Sequence, residues 1–411
     1  MSKSDIRRNM TCCIMLDTMF SFGWTGVVMA MIPLLTFLGA TNTQIGLITG
    51  ASFATLPGMF FSPWITRRFR IKKWYLFVTN IPYLLPVGLC GIGILMSSGL
   101  DLENSFLVNF ILVMMLIHQF FAGFVGLPHQ EYIASCVPMS HRGRFTGFSH
   151  STGGFVSICS SLIGAWILGH YDKPMSFGWL LVFAWLVSQA GYVACLFARE
   201  RPTPVEKSPS PWSRKMILAL WHDKRYLRAL LITFLFYGVF FQIGNFVNVY
   251  GFRVLEMPAQ AIAFLTITAN VAKMGLVWLI GMLVDRHAPK RTLPYFFVFC
   301  ALALVPVIVF KHPLAVYAFA FFGTLAISGA IAALNPIMFG IPSSENRAGH
   351  YTAYNIVQNI AFAAGPIAIG LFCDAIPYRM VFGIIALFTL AMCPFTKVIL
   401  SILSDKAEDY S

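Results

Sequence analysis

The chain has 411 residues, of which 58% are apolar and only 11% are charged, and its formal net charge is +13. Soluble domains carry about 25% charged residues, so this chain has too few to cover a water-facing surface around a core of this size. The composition argues against a soluble enzyme, a nucleic-acid-binding protein or a disordered chain. It favours a polytopic membrane protein.

Twelve stretches of the chain approach the roughly 20 mainly apolar residues that a bilayer-spanning helix needs. Each is predicted as a helix because backbone groups in lipid must be satisfied within their own segment. The first stretch is too long for a signal-peptide core, so it is predicted as the first span. In chain order the predicted spans are 12–37, 44–66, 74–98, 105–127, 145–169, 176–198, 227–249, 259–283, 294–310, 313–340, 350–374 and 378–402.

The basic residues predict the topology of these spans. With the N-terminus assigned to the cytoplasm and the sides alternating, almost every Lys and Arg falls in a cytoplasmic loop or terminus, as the positive-inside rule requires. Both termini are then cytoplasmic, and we expect a multi-pass protein of the cell membrane. The basic residues outside the cytoplasmic segments are Lys173, Arg253, Lys311 and Arg379 in outer loops, and Lys273 within a span.

A Pro- and Ser-rich charged segment, 199–226, separates the sixth and seventh spans. Its composition is typical of a linker, so the chain is predicted to form an N-terminal half (1–198) and a C-terminal half (227–411). The halves resemble each other: residues 143–149 match 349–355, and residues 63–73 match 281–291. Two matches in the same relative places indicate an internal six-plus-six duplication.

The second of these matches carries a recognisable motif. The sequence Gly281-Met-Leu-Val-Asp285-Arg286-His-Ala-Pro-Lys290-Arg291 resembles the loop motif G-x-L-x-D-R-x-G-R-[KR] of the major facilitator superfamily. The segment after the fourth span, Arg142-Gly143-Arg144, also resembles this family. In the first half, however, Arg67 stands where the motif has an acid.

The resemblance implies an all-α fold of twelve transmembrane helices in two pseudo-symmetric six-helix bundles, and transport by alternating access. It also implies that the loop residues brace helix ends and act in gating rather than in substrate binding. For the first-half loop, the alternative is that Lys72 and Lys73 are only topology signals. The implied gating residues are Gly281, Asp285, Arg286, Lys290, Arg291, Arg142, Gly143 and Arg144.

Polar side chains within the spans indicate where a solute could bind, because such groups usually face a cavity or one another. Several recur at helical spacing and therefore share a face. The alternative is that they are hydrogen bonds that hold helices together. The substrate-binding candidates are Lys273, Asn270, Gln242, Asn245, Asn355, Gln358, Asn359 and Asn335.

Lys273 is the most informative of these residues because it lies near the middle of its predicted span. An uncompensated cation at that depth costs about 2.5–3.5 kcal/mol or more on insertion scales. It could bind an anionic group of the substrate, pair with Asp17 in the first span, or be a neutral lysine.

Asp17 and His118 are the candidate proton carriers, since a buried carboxylate or an imidazole can take up a proton near neutral pH. The alternatives are that Asp17 braces an inner gate and that His118 is a neutral, hydrogen-bonded group.

The predicted function is secondary active transport of a small polar solute, with an organic anion as the sharper hypothesis, coupled to a proton gradient. The chain has no P-loop sequence, and its nine cysteines form no C-x-x-C or Cys/His cluster, so we expect no cofactor, no metal and no enzymatic activity. Membrane lipid, the solute and protons are the expected partners of a monomer, with no nucleic acid. The alternatives are proton-driven efflux of lipophilic compounds and a receptor or scaffold built on the same fold.

Overall fold

The structure, a computed structural model, describes residues 3–66, 68–100, 102–202, 222–287, 289–340 and 347–401. These residues form helices joined by short loops, as expected for a chain whose backbone is satisfied within each membrane-spanning segment. In chain order the α-helices are α1 (Lys3–Phe37), α2 (Asn42–Thr49), α3 (Thr55–Thr66), α4 (Lys72–Leu100), α5 (Asn104–Cys136), α6 (Met139–His170), α7 (Met175–Leu196), α8 (Lys224–Leu235), α9 (Ile243–Arg253), α10 (Ala261–His287), α11 (Pro289–Val309), α12 (Pro313–Gly340), α13 (Arg347–Ala375) and α14 (Tyr378–Ser401).

Among the described residues, 11 helical segments are long and apolar enough to cross a membrane. The twelfth predicted span is α14, whose described apolar part, Tyr378–Pro394, is shorter than the others. The predicted class, an all-α multi-pass membrane protein, is therefore confirmed. Linker residues 203–221 lie outside the described part of the chain.

Two predicted spans are interrupted in the structure. The second consists of α2 and α3 joined by a 3₁₀ turn, Ala51–Ala54, and the seventh consists of α8 and α9 joined through a π-helical segment, Phe236–Phe240. The π segment packs on α13 at Gly238, where a Cβ added to Gly365 would lie 1.8 Å from the Gly238 carbonyl oxygen. Glycine permits this backbone approach. Hydropathy alone does not reveal such a break.

The chain folds into two compact units. Unit 1 comprises Met1–Ala40, Ala51–Ser208 and Pro258–Asn270. In it, α1 packs on α6 and α7, and α4 packs on α5 and α7. The α3–α5 pair is close because Gly123 faces α3: a Cβ on Gly123 would lie 2.2 Å from the Thr55 carbonyl oxygen.

Unit 2 comprises Thr41–Gly50, Pro209–Met257 and Val271–Ser411. In it, α11 packs on α12 and α14, and α13 packs on α2, α8 and the π segment.

The start of α2 is held by a carboxylate and an amide group within unit 2. Asp374 of α13 accepts hydrogen bonds from the backbone N–H groups of Asn42 (3.0 Å) and Thr43 (2.9 Å). The Asn42 side-chain oxygen in turn accepts from Arg253 (2.9 Å) and Tyr378 (2.5 Å). A carboxylate at a helix N-terminus satisfies N–H groups that have no intrahelical partner. This cluster therefore fixes α2 against α13, α9 and α14.

Candidate functional site

Unit 1 contains a polar cluster around Asp17 of α1, where this helix contacts α5 and α6. Its Oδ2 accepts a hydrogen bond from the Ser149 hydroxyl of α6 at 2.8 Å. Its Oδ1 lies 3.2 Å from Nε2 of His129 on α5, the distance of an ion pair, although the ring nitrogen is not aligned for a hydrogen bond. Both side chains are partly buried, with 21% of Asp17 and 28% of His129 exposed. The arrangement places a carboxylate and an imidazole side by side where α1, α5 and α6 meet.

A cavity of about 190 Å³ adjoins this cluster within unit 1. His129 is its titratable imidazole, and aromatic rings form much of the remaining wall. The lining residues are Leu16, Phe20, Tyr83, Ala122, Val125, Gly126, His129 and Tyr192.

His118 lies on the same helix as His129 but in a different environment. It is 1% exposed, and its Nδ1 lies 2.7 Å from the Tyr83 carbonyl oxygen. Its ring stacks between Tyr83, with centroids 4.6 Å apart, and Trp24, at 5.8 Å. These contacts favour the alternative in which His118 is a neutral, hydrogen-bonded group.

A second charged cluster of unit 1 joins the start of α4 to the ends of α5 and α7. Glu200 accepts hydrogen bonds from the backbone N–H groups of Lys72 (2.6 Å) and Lys73 (2.8 Å). The buried Lys72 ammonium lies 3.2 Å from Glu131. Burial raises the pKa of the Glu200 carboxyl above its ordinary value, against the opposing effect of the two N–H donors. Lys72 and Lys73 therefore brace helix ends and are more than topology signals. The first-half loop has Arg67 at the acidic position of the motif, and the carboxylates in this cluster come from Glu131 and Glu200.

Unit 2 contains an amide–phenol network, which we define as Tyr237, Asn335, Tyr354 and Gln358. The Tyr354 hydroxyl donates to the side-chain oxygen of Asn335 at 2.9 Å and lies 3.3 Å from the Tyr237 hydroxyl. Tyr237 also faces the side chain of Gln358. The network connects α12, α13 and the π segment of the seventh span. It brings two predicted binding residues, Asn335 and Gln358, together with two tyrosines that were not among the predicted candidates.

Aromatic rings border the amide–phenol network on the π-segment side. The ring centroid of Tyr237 lies 5.4 Å from that of Phe241 and 5.3 Å from that of Phe362, and the two phenylalanine centroids are 5.1 Å apart. Apolar surface with a few placed polar groups is typical of small-molecule sites.

The remaining amide candidates are held by local hydrogen bonds. The Asn245 amide lies 3.5 Å from the Gln242 side-chain oxygen, and the Asn359 amide donates to the Asn355 carbonyl oxygen at 2.8 Å. Asn270 is half-buried on α10. Both contacts join residues of the same span, so they do not test the alternative in which these side chains hold neighbouring helices together.

Lys273 is exposed on α10. Among the described residues it has no hydrogen-bond or ion-pair partner, so the structure joins it neither to the amide–phenol network nor to any described acid. The interpretation of Lys273 as an anion-binding residue remains a prediction.

The loop-motif residues lie where α10 ends and α11 begins. Arg286, Lys290 and Arg291 are exposed, and Gly281 is half-buried within α10. The side chain of Asp285 lies outside the described part of the structure, as do the side chains of Arg142 and Arg144 and the surroundings of Gly143, whose backbone is helical in α6.

Comparison with solved structures finds transporters that share this fold. The nucleoside transporter NupG has a TM-score of 0.71 at 12% identity, with 95% of this chain and 99% of that chain covered. A bacterial homolog of the human lysosomal transporter Spinster, in an inward-facing and unoccupied conformation, has a TM-score of 0.70 at 16% identity, with 97% of each chain covered. A D-xylose–proton symporter has a TM-score of 0.69 at 14% identity, with 95% and 97% covered.

Comparison of the sequence with curated proteins finds no match. The family model of the Major Facilitator Superfamily matches residues 11–343 and 274–408, which together span nearly the whole chain. The chain therefore belongs to the Major Facilitator Superfamily.

Proposed function

We propose that this transporter moves a small polar organic solute by alternating access and that the amide–phenol network of unit 2 contributes to its binding. The observation that supports this proposal is the chain of side-chain contacts from Asn335 through Tyr354 to Tyr237. Amide and phenol groups donate and accept hydrogen bonds, and the adjoining rings of Phe241 and Phe362 offer an apolar face to the rest of the solute.

Coupling to protons is the second part of the proposal. Asp17 with His129 forms a carboxylate–imidazole pair beside a cavity, and a hydroxyl hydrogen bond from Ser149 stabilises the carboxylate. Such a pair can bind a proton from one side of the membrane and release it to the other when its surroundings change. We propose Asp17 as the coupling residue, with His129 as its partner.

The orientation in the membrane is the third part of the proposal. We propose a cell-membrane protein with both termini cytoplasmic and two six-helix halves at 1–198 and 227–411. The distribution of Lys and Arg supports this orientation.

A thermal-shift screen of the purified protein tests the solute class. The probe panel is a nucleoside, D-xylose, a dipeptide, small organic anions and lipophilic cations. A ligand at about 100 times its Kd adds about 2.7 kcal/mol of stability, which a melting curve resolves. The control variant is Asn109→Ala, a change at an exposed asparagine of α5. The proposal is supported if a polar probe stabilises the wild type and Asn109→Ala but does not stabilise Asn335→Ala.

Two other outcomes of the screen decide the remaining alternatives. Stabilisation by lipophilic cations alone contradicts the polar-solute proposal and favours efflux. Stabilisation by an organic anion that survives Lys273→Gln contradicts a role for Lys273 in binding the anionic group.

A further inference from the structure

A cavity in unit 2 opens where α10 ends and α11 begins. Its volume is about 710 Å³, and two guanidinium groups, those of Arg286 on α10 and Arg291 on α11, line it together with the His287 ring. A water molecule occupies about 30 Å³ in the liquid, so the cavity has room for a ligand much larger than an inorganic ion.

The charge at this cavity favours an anion. The segment 285–291 carries one acid, Asp285, against three permanent cations, Arg286, Lys290 and Arg291. Arg286 and Arg291 are exposed, and neither forms a salt bridge with a described acid. The planar guanidinium matches the geometry of a phosphate group and binds it through two hydrogen bonds.

The rest of the cavity lining includes apolar side chains of the same two helices, which are long and apolar enough to cross a membrane. Leu283 of α10 and Tyr295 and Phe299 of α11 line it. Only 11% of the most apolar window of α10 is buried inside the protein, and Tyr295 is 70% exposed. Surfaces this apolar and this exposed contact acyl chains in a membrane, and tyrosine is enriched at the level of the headgroups.

We propose that this cavity binds an anionic phospholipid. Arg286 and Arg291 bind its phosphate, and an acyl chain lies along Leu283, Tyr295 and Phe299. The loop between α10 and α11 is on the cytoplasmic side in the proposed orientation, and anionic lipids are enriched in the cytoplasmic leaflet. The site is separate from the amide–phenol network, so its occupancy does not depend on the identity of the transported solute.

The volume and the apolar wall distinguish a phospholipid from free phosphate. A free phosphate would use the two arginines but would leave the surface of Leu283, Tyr295 and Phe299 without a partner. A zwitterionic lipid would use the apolar wall but would bring a cation to a basic rim. An anionic phospholipid satisfies both parts of the cavity.

Native mass spectrometry of the full-length protein in detergent tests the proposal. Phosphatidylglycerol and phosphatidylcholine with the same acyl chains are titrated separately, and inorganic phosphate and glycerol 3-phosphate are added as competitors. The test variant is the double substitution Arg286→Gln/Arg291→Gln. The matched control is Arg225→Gln/Arg228→Gln, which removes the same charge from α8 of the same unit.

We expect the wild-type protein to bind one phosphatidylglycerol in preference to phosphatidylcholine. Each basic residue near an anionic membrane surface contributes about 1 kcal/mol, so the test variant should bind phosphatidylglycerol about 25-fold more weakly, while the control is unchanged. Tyr295→Ala alters an exposed side chain and keeps the charges. It should weaken both lipids and provides the test if the double variant does not fold.

Three results would overturn the proposal. Equal affinity for the two lipids shows that the basic rim selects no headgroup. Unchanged binding of phosphatidylglycerol in the double variant and in Tyr295→Ala shows that the lipid binds elsewhere. Displacement of the lipid by millimolar inorganic phosphate shows a free-phosphate site in its place.

Discussion

The carboxylate of Asp17 lies 3.2 Å from the imidazole of His129 although the two residues are 112 positions apart in the chain. The contact joins α1 to α5 within unit 1 and adjoins a cavity of about 190 Å³. Histidine is the side chain best suited to change charge near physiological pH. The proposed proton coupling rests on this contact between a carboxylate and an imidazole beside the cavity.

His129→Gln tests the contribution of the imidazole. Glutamine keeps a hydrogen-bonding group near Asp17 but cannot become a cation, so the variant should transport solute with a weaker dependence on pH between about 5 and 8. Initial uptake rates across this pH range, compared with His170→Gln at an exposed histidine of α6, measure the effect. An identical pH profile in wild type and His129→Gln would exclude the imidazole from coupling.

Tyr354→Phe tests the amide–phenol network. The change removes one hydroxyl that donates to Asn335 and lies near Tyr237, and an unsatisfied polar group at a buried site costs about 1–3 kcal/mol. We expect the stabilising probe to bind about 5- to 150-fold more weakly. Isothermal titration or thermal shift measures this, with Tyr317→Phe on α12 as the control. If Tyr354→Phe binds the probe with wild-type affinity, the Tyr354 hydroxyl does not contribute to binding.

Gly123→Ala tests the close packing of α3 on α5. The added methyl group would meet the Thr55 carbonyl oxygen at 2.2 Å, whereas a Cβ on Gly126 of the same helix meets nothing within 4 Å. Overpacking costs about 1–3 kcal/mol, so the melting temperature should fall in Gly123→Ala and hold in Gly126→Ala. Equal melting temperatures for the two variants would show that α3 and α5 do not approach this closely.

Glu200→Gln tests the pH dependence of stability. Burial raises the pKa of Glu200 in the folded protein, so the folded state holds the proton more tightly than the unfolded state. The resulting stability is present below the unfolded pKa of about 4.3 and is lost as the pH rises through the folded pKa. As the pH rises from the unfolded pKa through the folded pKa of Glu200, the free energy of unfolding should therefore fall more in the wild type than in Glu200→Gln. Glu103→Gln, at an exposed carboxyl, is the control, and parallel curves for Glu200→Gln and wild type would contradict the assignment.

The fold was predictable because three signals indicate the number and order of the membrane-spanning helices: hydropathy, the positions of the basic residues and the internal repeat. These signals are strong in a chain with so few charges. The interruptions at Ala51–Ala54 and Phe236–Phe240 were not predictable, because a window average treats a broken helix like a continuous one. The π segment lies at a close backbone approach, Gly238 to Gly365, which depends on tertiary packing.

The candidate site was predictable only in part. Asp17, Asn335 and Gln358 stood out as polar groups in apolar helices. His129 does not stand out in the same way, because a histidine near a helix end is typical of loop packing. Tyr237 and Tyr354 do not stand out because a tyrosine in an apolar run resembles a core residue. Helical spacing relates residues of one helix and gives no information on which helices meet. Contacts between distant segments, such as Asp17 with His129, need the structure.

Proton-driven accumulation in proteoliposomes is the measurement that tests the proposed function most directly. The probe-panel compound that stabilises the protein is supplied with and without a pH gradient to wild type and Asp17→Asn, with Asp172→Asn in the loop before α7 as the control. Our account predicts that Asp17→Asn still exchanges solute across the membrane but no longer accumulates it in response to the gradient. Accumulation by Asp17→Asn that follows the gradient as in wild type would contradict the account.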